Sequence, residues 1–134
     1  MAAFISSSES ERGMDIPDWV QELFQTIDAR DAEAFAAYLT ETGCFRYGSQ
    51  APVVGRRAVA EHVAGFFFGL SGLRHELKGF WWGEADALCF VQGEVTYFLA
   101  DGREVTLPFL NLFRMAGERI DDYRIYADPS PLFA

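Results

Sequence analysis

Asn111, Asp122, Arg124 and His75 are the residues of this chain whose types and settings could do chemistry. Asn111 stands inside LPFLNLFRM, an almost wholly apolar run, on the alternate positions shared by Phe109, Phe113 and Met115. A side-chain amide there can donate to a carbonyl oxygen or a developing enolate without bringing charge. Left buried and unpaired it costs roughly 1–3 kcal/mol, so it needs a partner, whether a ligand, a backbone group or a water. The next run, RIDDYRIYAD, sets Asp122, Arg124, Tyr126 and Asp128 on one face by two-residue spacing, with Asp121 and Tyr123 on the other, outer face. A lone carboxylate in an apolar pocket holds its proton more tightly and suits a general base. The guanidinium two residues on does the opposite and favours a structural ion pair, so Asp122 is read both ways and Arg124 as an orienting group.

His75 opens HELKGFWW, with Leu77, Gly79 and Trp81 on its side. Imidazole can shuttle protons near neutrality, and the plainer reading is a satisfied, half-buried ring. Glu94 interrupts an apolar strand; it is either the base of an enolisation or a solvated residue, depending on whether Gly93 marks a bulge. Tyr47 is a second donor, through its hydroxyl. Trp81, Phe109, Phe113 and Tyr126 supply the aromatic wall of a candidate pocket, greasy with a few placed polar groups. Trp82, with Phe80 beside it, falls on the outer face and would suit dimerisation.

Other chemistries have little support. His62 and His75 lie far apart without a Cys or carboxylate set, so no metal site is expected. There is no phosphate-binding glycine loop and no nucleophile elbow, so no cofactor is expected either. A net charge of −9 repels nucleic acid. The longest apolar runs are too short to span a bilayer, and no basic stretch leads into an apolar one as a secretory signal would. Cys44 and Cys89 are therefore expected as free thiols in a reducing cytoplasm. The partner expected from these patterns is a small hydrophobic molecule, not nucleic acid or membrane.

The positioning elements follow from periodicity. Residues 1–13 read as a frayed tail and 14–134 as one domain. Asp15 caps a first helix with Pro17 and Asp18 in its first turn, and Ile16, Trp19, Val20, Leu23, Phe24 and Ile27 form its inner stripe. Asp31 opens a short second helix over 31–39, and a short strand spans 44–47. The segment GSQAPVVG reads as a loop. A third helix over 57–70 faces inward with Val59, Val63, Phe66, Phe67 and Leu70. Four consecutive strands follow, HELKGFWW, ALCFVQGEVTYFLA, EVTLPFLNLFRM and RIDDYRIYAD, turning at residues 83–86, at Asp101-Gly102 and at Ala116-Gly117. Helices first and antiparallel strands after is an α+β pattern: three N-terminal helices on a curved, mainly antiparallel sheet.

The order and spacing of DARDAEAFAAYLTETGCFRYG, VVGRRAVAEHV and NLFRMAGERIDDYRIYADPSPL resemble the NTF2-like superfamily, and within it the SnoaL-like group of polyketide cyclases and ketosteroid isomerase relatives. The resemblance implies a cone with a pocket between sheet and helices, and a homodimer through the sheet. It also implies a cofactor-free isomerase, cyclase or hydratase that moves protons on a small hydrophobic carbonyl compound. The same fold hosts non-catalytic ligand-binding and dimeric interaction domains as well. Residue by residue, the carboxylate base that ends the first strand in steroid isomerases falls on Tyr47, their helix-one tyrosine on Leu23, and their protonated aspartate on Asn111. SnoaL-type cyclases have a histidine at that last place. The roles implied here are Asp122 or His75 as acid/base, and Asn111 and Tyr47 as donors to the substrate oxygen.

Overall fold

A computed structural model describes residues 15–83 and 87–133; the tail expected over 1–13 and the middle of the turn over 83–86 lie outside the described residues. Helix α1 (Asp18–Asp28) begins two residues later than a cap at Asp15 would set it. Pro17 occupies the cap position in extended conformation, and its carbonyl accepts from the Val20 and Gln21 N–H groups. Asp18 keeps its place at the positive end of the helix. Val20, Leu23, Phe24 and Ile27 are buried, as their three- and four-residue steps require. Asp31 does cap α2 (Ala32–Ala36), accepting from the Ala34 N–H at 3.1 Å. This helix is shorter than the sequence pattern suggests because Leu39 already opens strand β1 (Leu39–Tyr47).

The valines of the expected loop form a two-residue strand, β2 (Val53–Val54), paired antiparallel with Cys44 and Phe45. Gly55 caps α3 (Arg56–Phe68) at φ 101°, a backbone that other residues rarely adopt. Val59, Ala60, Val63 and Phe67 of α3 are buried, whereas Phe66, expected on the inner stripe, is 39% exposed.

Strands β3 (Leu70–Trp82), β4 (Leu88–Leu99), β5 (Glu104–Ala116) and β6 (Arg119–Tyr126) run as a meander. The sheet order is β2-β1-β6-β5-β4-β3. Among the described residues only the β1–β6 pair is parallel, so the sheet is mainly antiparallel, curved, and covered by the three helices, as the α+β pattern implies.

Two of the sheet's register shifts decide which of the candidate side chains face the helices. In β3 the shift between Leu77 and Gly79 inserts Lys78 as an unpaired residue. Before it His75 and Leu77 face inward; after it Phe80 takes the inner face opposite the fully buried Val91, while Trp81 turns out. That reverses the expectation for this strand: Phe80 is core, and Trp81 lies flat over Gly79, where even a methyl group would collide with its ring. Trp82 shares the inner side with Phe80, at the half-exposed strand end, and packs edge-on against it. In β6 a shift beside Met115 leaves Asp121 unpaired. Ile120 and Tyr123 both become inward and buried, while Asp122 and Arg124 lie opposite the outward Arg114 and Leu112. A period-two reading through a bulge assigns the residues beyond it to the wrong face.

Candidate functional site

A cavity of about 100 Å³ lies between the inner sheet face and the helices. Its apolar wall includes Ile27 of α1, Phe35 of α2, Val63 and Phe67 of α3, and Val95 and Phe109 of the sheet. Phe66 of α3, Gln50 and the C-terminal 3-10 turn Ser130–Phe133, through Leu132 and Phe133, complete the lining. Volume in excess of about 10–15 Å³ already admits a water, so this hollow has room for several waters or a small organic molecule.

Besides Gln50 and His62, five polar side chains converge on it. Tyr47 of β1 and Tyr97 of β4 share a hydroxyl–hydroxyl hydrogen bond of 2.9 Å. Asn111 of β5 is 2% exposed, and its Nδ2 donates to the Tyr123 hydroxyl over 3.5 Å. Asn111 Oδ1 is buried without a partner among the described residues. His75 of β3 presents its ring between Phe24 and Phe109, with centroids 4.9 and 5.5 Å away. Its Nδ1 lies 2.6 Å from Asp28 Oδ1, and its backbone N–H donates to Asp28 Oδ2 at 3.1 Å. An ionised carboxylate only accepts, so Nδ1 carries the hydrogen, and in the neutral ring the lone pair is on Nε2. Asp28 thereby fixes both the orientation and the tautomer of His75.

Burial pushes the Tyr97 and Tyr123 phenols well above the ordinary value of 10.0, and it raises Tyr47 too, against the opposing effect of the bond from Tyr97. These hydroxyls stay protonated donors wherever the fold survives. The stability consequence has a definite sign. Below pH 10 the phenols are neutral in both folded and unfolded chains and contribute no slope. Above it the unfolded chain loses protons that the folded chain keeps, and stability falls by about 1.4 kcal/mol per pH unit for each such tyrosine. Urea midpoints at stepped pH should therefore be flat in this respect up to about pH 10 and decline steeply beyond it. In a Tyr97→Phe variant that alkaline decline should be shallower.

Of the residues singled out in the sequence, Tyr47, His75, Phe109 and Asn111 line the cavity. Six others are placed elsewhere. Trp81 is turned out by the Lys78 bulge. Glu94 has no bulge beside it in β4; it sits on the outer face between Glu76 and Pro108. Phe113 is inward but lies in the solid core, 4.5 Å centroid to centroid from Tyr123 and not at the hollow. Asp122, Arg124 and Tyr126 all point outward, because the β6 bulge gives the inner face to Ile120, Tyr123 and Ile125. Asp122 Oδ2 accepts from Arg124 Nε at 3.1 Å, the ion-pair alternative of the two readings, while its Oδ1 is buried without a partner among the described residues.

Tyr97, Asp28 and Gln50 are polar groups that the sequence reading did not single out, and Tyr123 and His62 are ones it did not assign to the pocket. Tyr97 follows Gly93 and Val95 on one face of a plain alternation and was legible. Asp28 lies four residues after Phe24 on the inner stripe of α1, a usable helical signal. Tyr123 was hidden by the bulge. His62 stands exposed on α3 at the cavity rim, 6.2 Å from Phe45 centroid to centroid. Among the described residues no cluster of His, Cys, Asp or Glu could hold a metal ion, Cys44 and Cys89 are free thiols, and no helix is long and apolar enough to cross a membrane.

Comparison with known proteins gives a consistent fold. The profile of the SnoaL-like domain matches residues 20–123. No curated protein matches the chain. Among solved structures, an NTF2-like protein of unknown function from Burkholderia pseudomallei superposes with TM-score 0.76 at 16% identity, over 85% of this chain and 91% of that one. The epoxide hydrolase/cyclase-like enzyme SalBIII of salinomycin pyran-ring formation gives 0.73 at 17% identity, over 92% and 95%. A protein with a ketosteroid isomerase-like fold from Catenulispora acidiphila, in complex with trimethylamine, gives 0.75 at 13% identity, over 82% and 85%. At these identities the likeness speaks for the fold alone.

Proposed function

This chain belongs to the SnoaL-like domain family, and from that premise we propose that it is a cofactor-free isomerase, cyclase or hydratase that moves a proton on a small hydrophobic carbonyl compound. The observation that carries the reading is the Asp28-held His75 on the same cavity wall as the hydroxyls of Tyr47, Tyr97 and Tyr123. A proton acceptor and protonated oxygen donors on one apolar hollow are the two halves of an enolisation.

His75 Nε2 takes a proton from the carbon next to the carbonyl, and Asp28 stabilises the imidazolium that forms. The Tyr123 hydroxyl, positioned by Asn111, and the Tyr47–Tyr97 pair donate to the oxygen as it gains charge. The apolar walls exclude water, so these hydrogen bonds act in a medium of low dielectric. The same His75 then returns the proton to the substrate.

Deuterium exchange tests this without knowledge of the natural substrate. Wild-type protein in D₂O is incubated with a panel of single-ring and short-chain ketones and aldehydes, and label at the α-carbon is followed by NMR. Exchange above the buffer rate is the expected result. Ligands that bind but never exchange would leave the domain as a non-catalytic small-molecule binder.

A further inference from the structure

The unpaired acceptor inside the cavity constrains what can occupy it. Asn111 Oδ1 is buried and has no partner among the described residues, while Nδ2 of the same amide is engaged with Tyr123. Two hydroxyl hydrogens also remain uncommitted. Tyr123 accepts from Asn111 and keeps its own hydrogen; the single contact between Tyr47 and Tyr97 uses one hydrogen of two. Register brings these groups together, since Tyr47, Ile125 and Asn111 are direct neighbours across three strands. This part of the wall thus offers an unserved amide acceptor beside two donors.

It offers no fixed charge to match. Among the described residues no Asp, Glu, Lys or Arg lines the cavity, and its ionisable groups are the tyrosines, His62 and His75. An ionic ligand would shed its water against phenylalanine with no opposite fixed charge to replace it, which favours a neutral occupant. Size narrows it further: an apolar cavity of about 150 Å³ holds benzene, and this one measures about 100 Å³. At about two thirds of that volume it encloses a short chain or part of one ring, the rest of the ring lying in the mouth by Phe66 and Phe133, and it does not fit a fused polycycle.

We infer that the site selects a neutral hydroxy-carbonyl compound of single-ring size, whose hydroxyl donates to Asn111 Oδ1 while its carbonyl accepts from the tyrosine hydroxyls. The inference rests on the cavity being the ligand site, as proposed above, and adds the requirement for a hydroxyl. Asn111 is then a specificity-determining residue: a ligand without a donor leaves its carbonyl buried and unserved.

Three inert probes separate the possibilities: phenol, which donates; anisole, which only accepts; and toluene, which does neither. Affinities are read by NMR titration or calorimetry. Phenol should bind wild-type protein roughly tenfold more tightly than anisole or toluene, the size set by one buried unsatisfied acceptor. In Asn111→Leu the preference should vanish or reverse. Equal or tighter binding of toluene to the wild type would show that a water serves Asn111, and would overturn the inference without any variant being needed. Survival of the phenol preference in Asn111→Leu would overturn it too. Failure of all three probes to bind would instead remove the cavity as a ligand site, taking the proposed function with it.

Discussion

His75→Gln is expected to slow α-carbon exchange by about 10²–10⁴-fold, the usual contribution of a positioned general base. Glutamine is close in length and polar, so the strand should persist, but an amide has no basic lone pair. The loss should therefore fall on kcat, with KM little changed, because the ring is asked to act on the transition state more than on the bound substrate. Asp28 acts only through His75 and is a positioning residue. Asp28→Asn replaces an acceptor-only group with one that can also donate to Nδ1, which frees the imidazole to adopt the other tautomer. A smaller kcat loss is expected there, with partial recovery in Asp28→Glu, which a purely structural role for the aspartate would not produce. Exchange kinetics unaffected by His75→Gln would remove His75 from the mechanism.

The second large effect concerns stability and separates core from site. Phe113 is fully buried, packs against Tyr123 and lies 6.4 Å from Trp19, ring centre to ring centre. Phe113→Ala should cost about 3–5 kcal/mol, read as a fall in the urea midpoint, since the surrounding strands cannot close the void. Against a total stability of about 5–15 kcal/mol that is a large share. Affinity for small aromatic probes in the protein that remains folded should change little, because Phe113 backs Tyr123 and does not line the hollow. A large loss of affinity at unchanged stability would move Phe113 into the binding wall.

These two residues illustrate how far a sequence reading reaches. Regular periodicity carried most of the fold. The stripe of α1, the cap at Asp31 and the turns at Gly102 and Gly117, both at positive φ, are local properties written in a few adjacent residues. So was the inner face of β5, where Phe109, Asn111 and Phe113 alternate without interruption. Asn111 could be placed in the interior from the sequence for that reason, and His75 on the inner side of β3 likewise, since the stretch His75–Leu77 precedes the shift at Lys78.

Trp81, Asp122, Arg124 and Tyr126 show where such reasoning stops. Each lies beyond a single extra residue, Lys78 in β3 or Asp121 in β6. A bulge is stabilised by how the neighbouring strand pairs, which is a long-range matter, and it inverts every side chain after it. The Asp28–His75 contact is also tertiary, joining residues on a helix and a strand far apart in the chain. The amino-acid order by itself determined the elements, their sequence along the chain and an apolar interior with one amide in it. Only the packed sheet decided which phenols meet that amide, which carboxylate holds the imidazole, and which remain outside, because register and pairing are properties of two strands together and of neither alone.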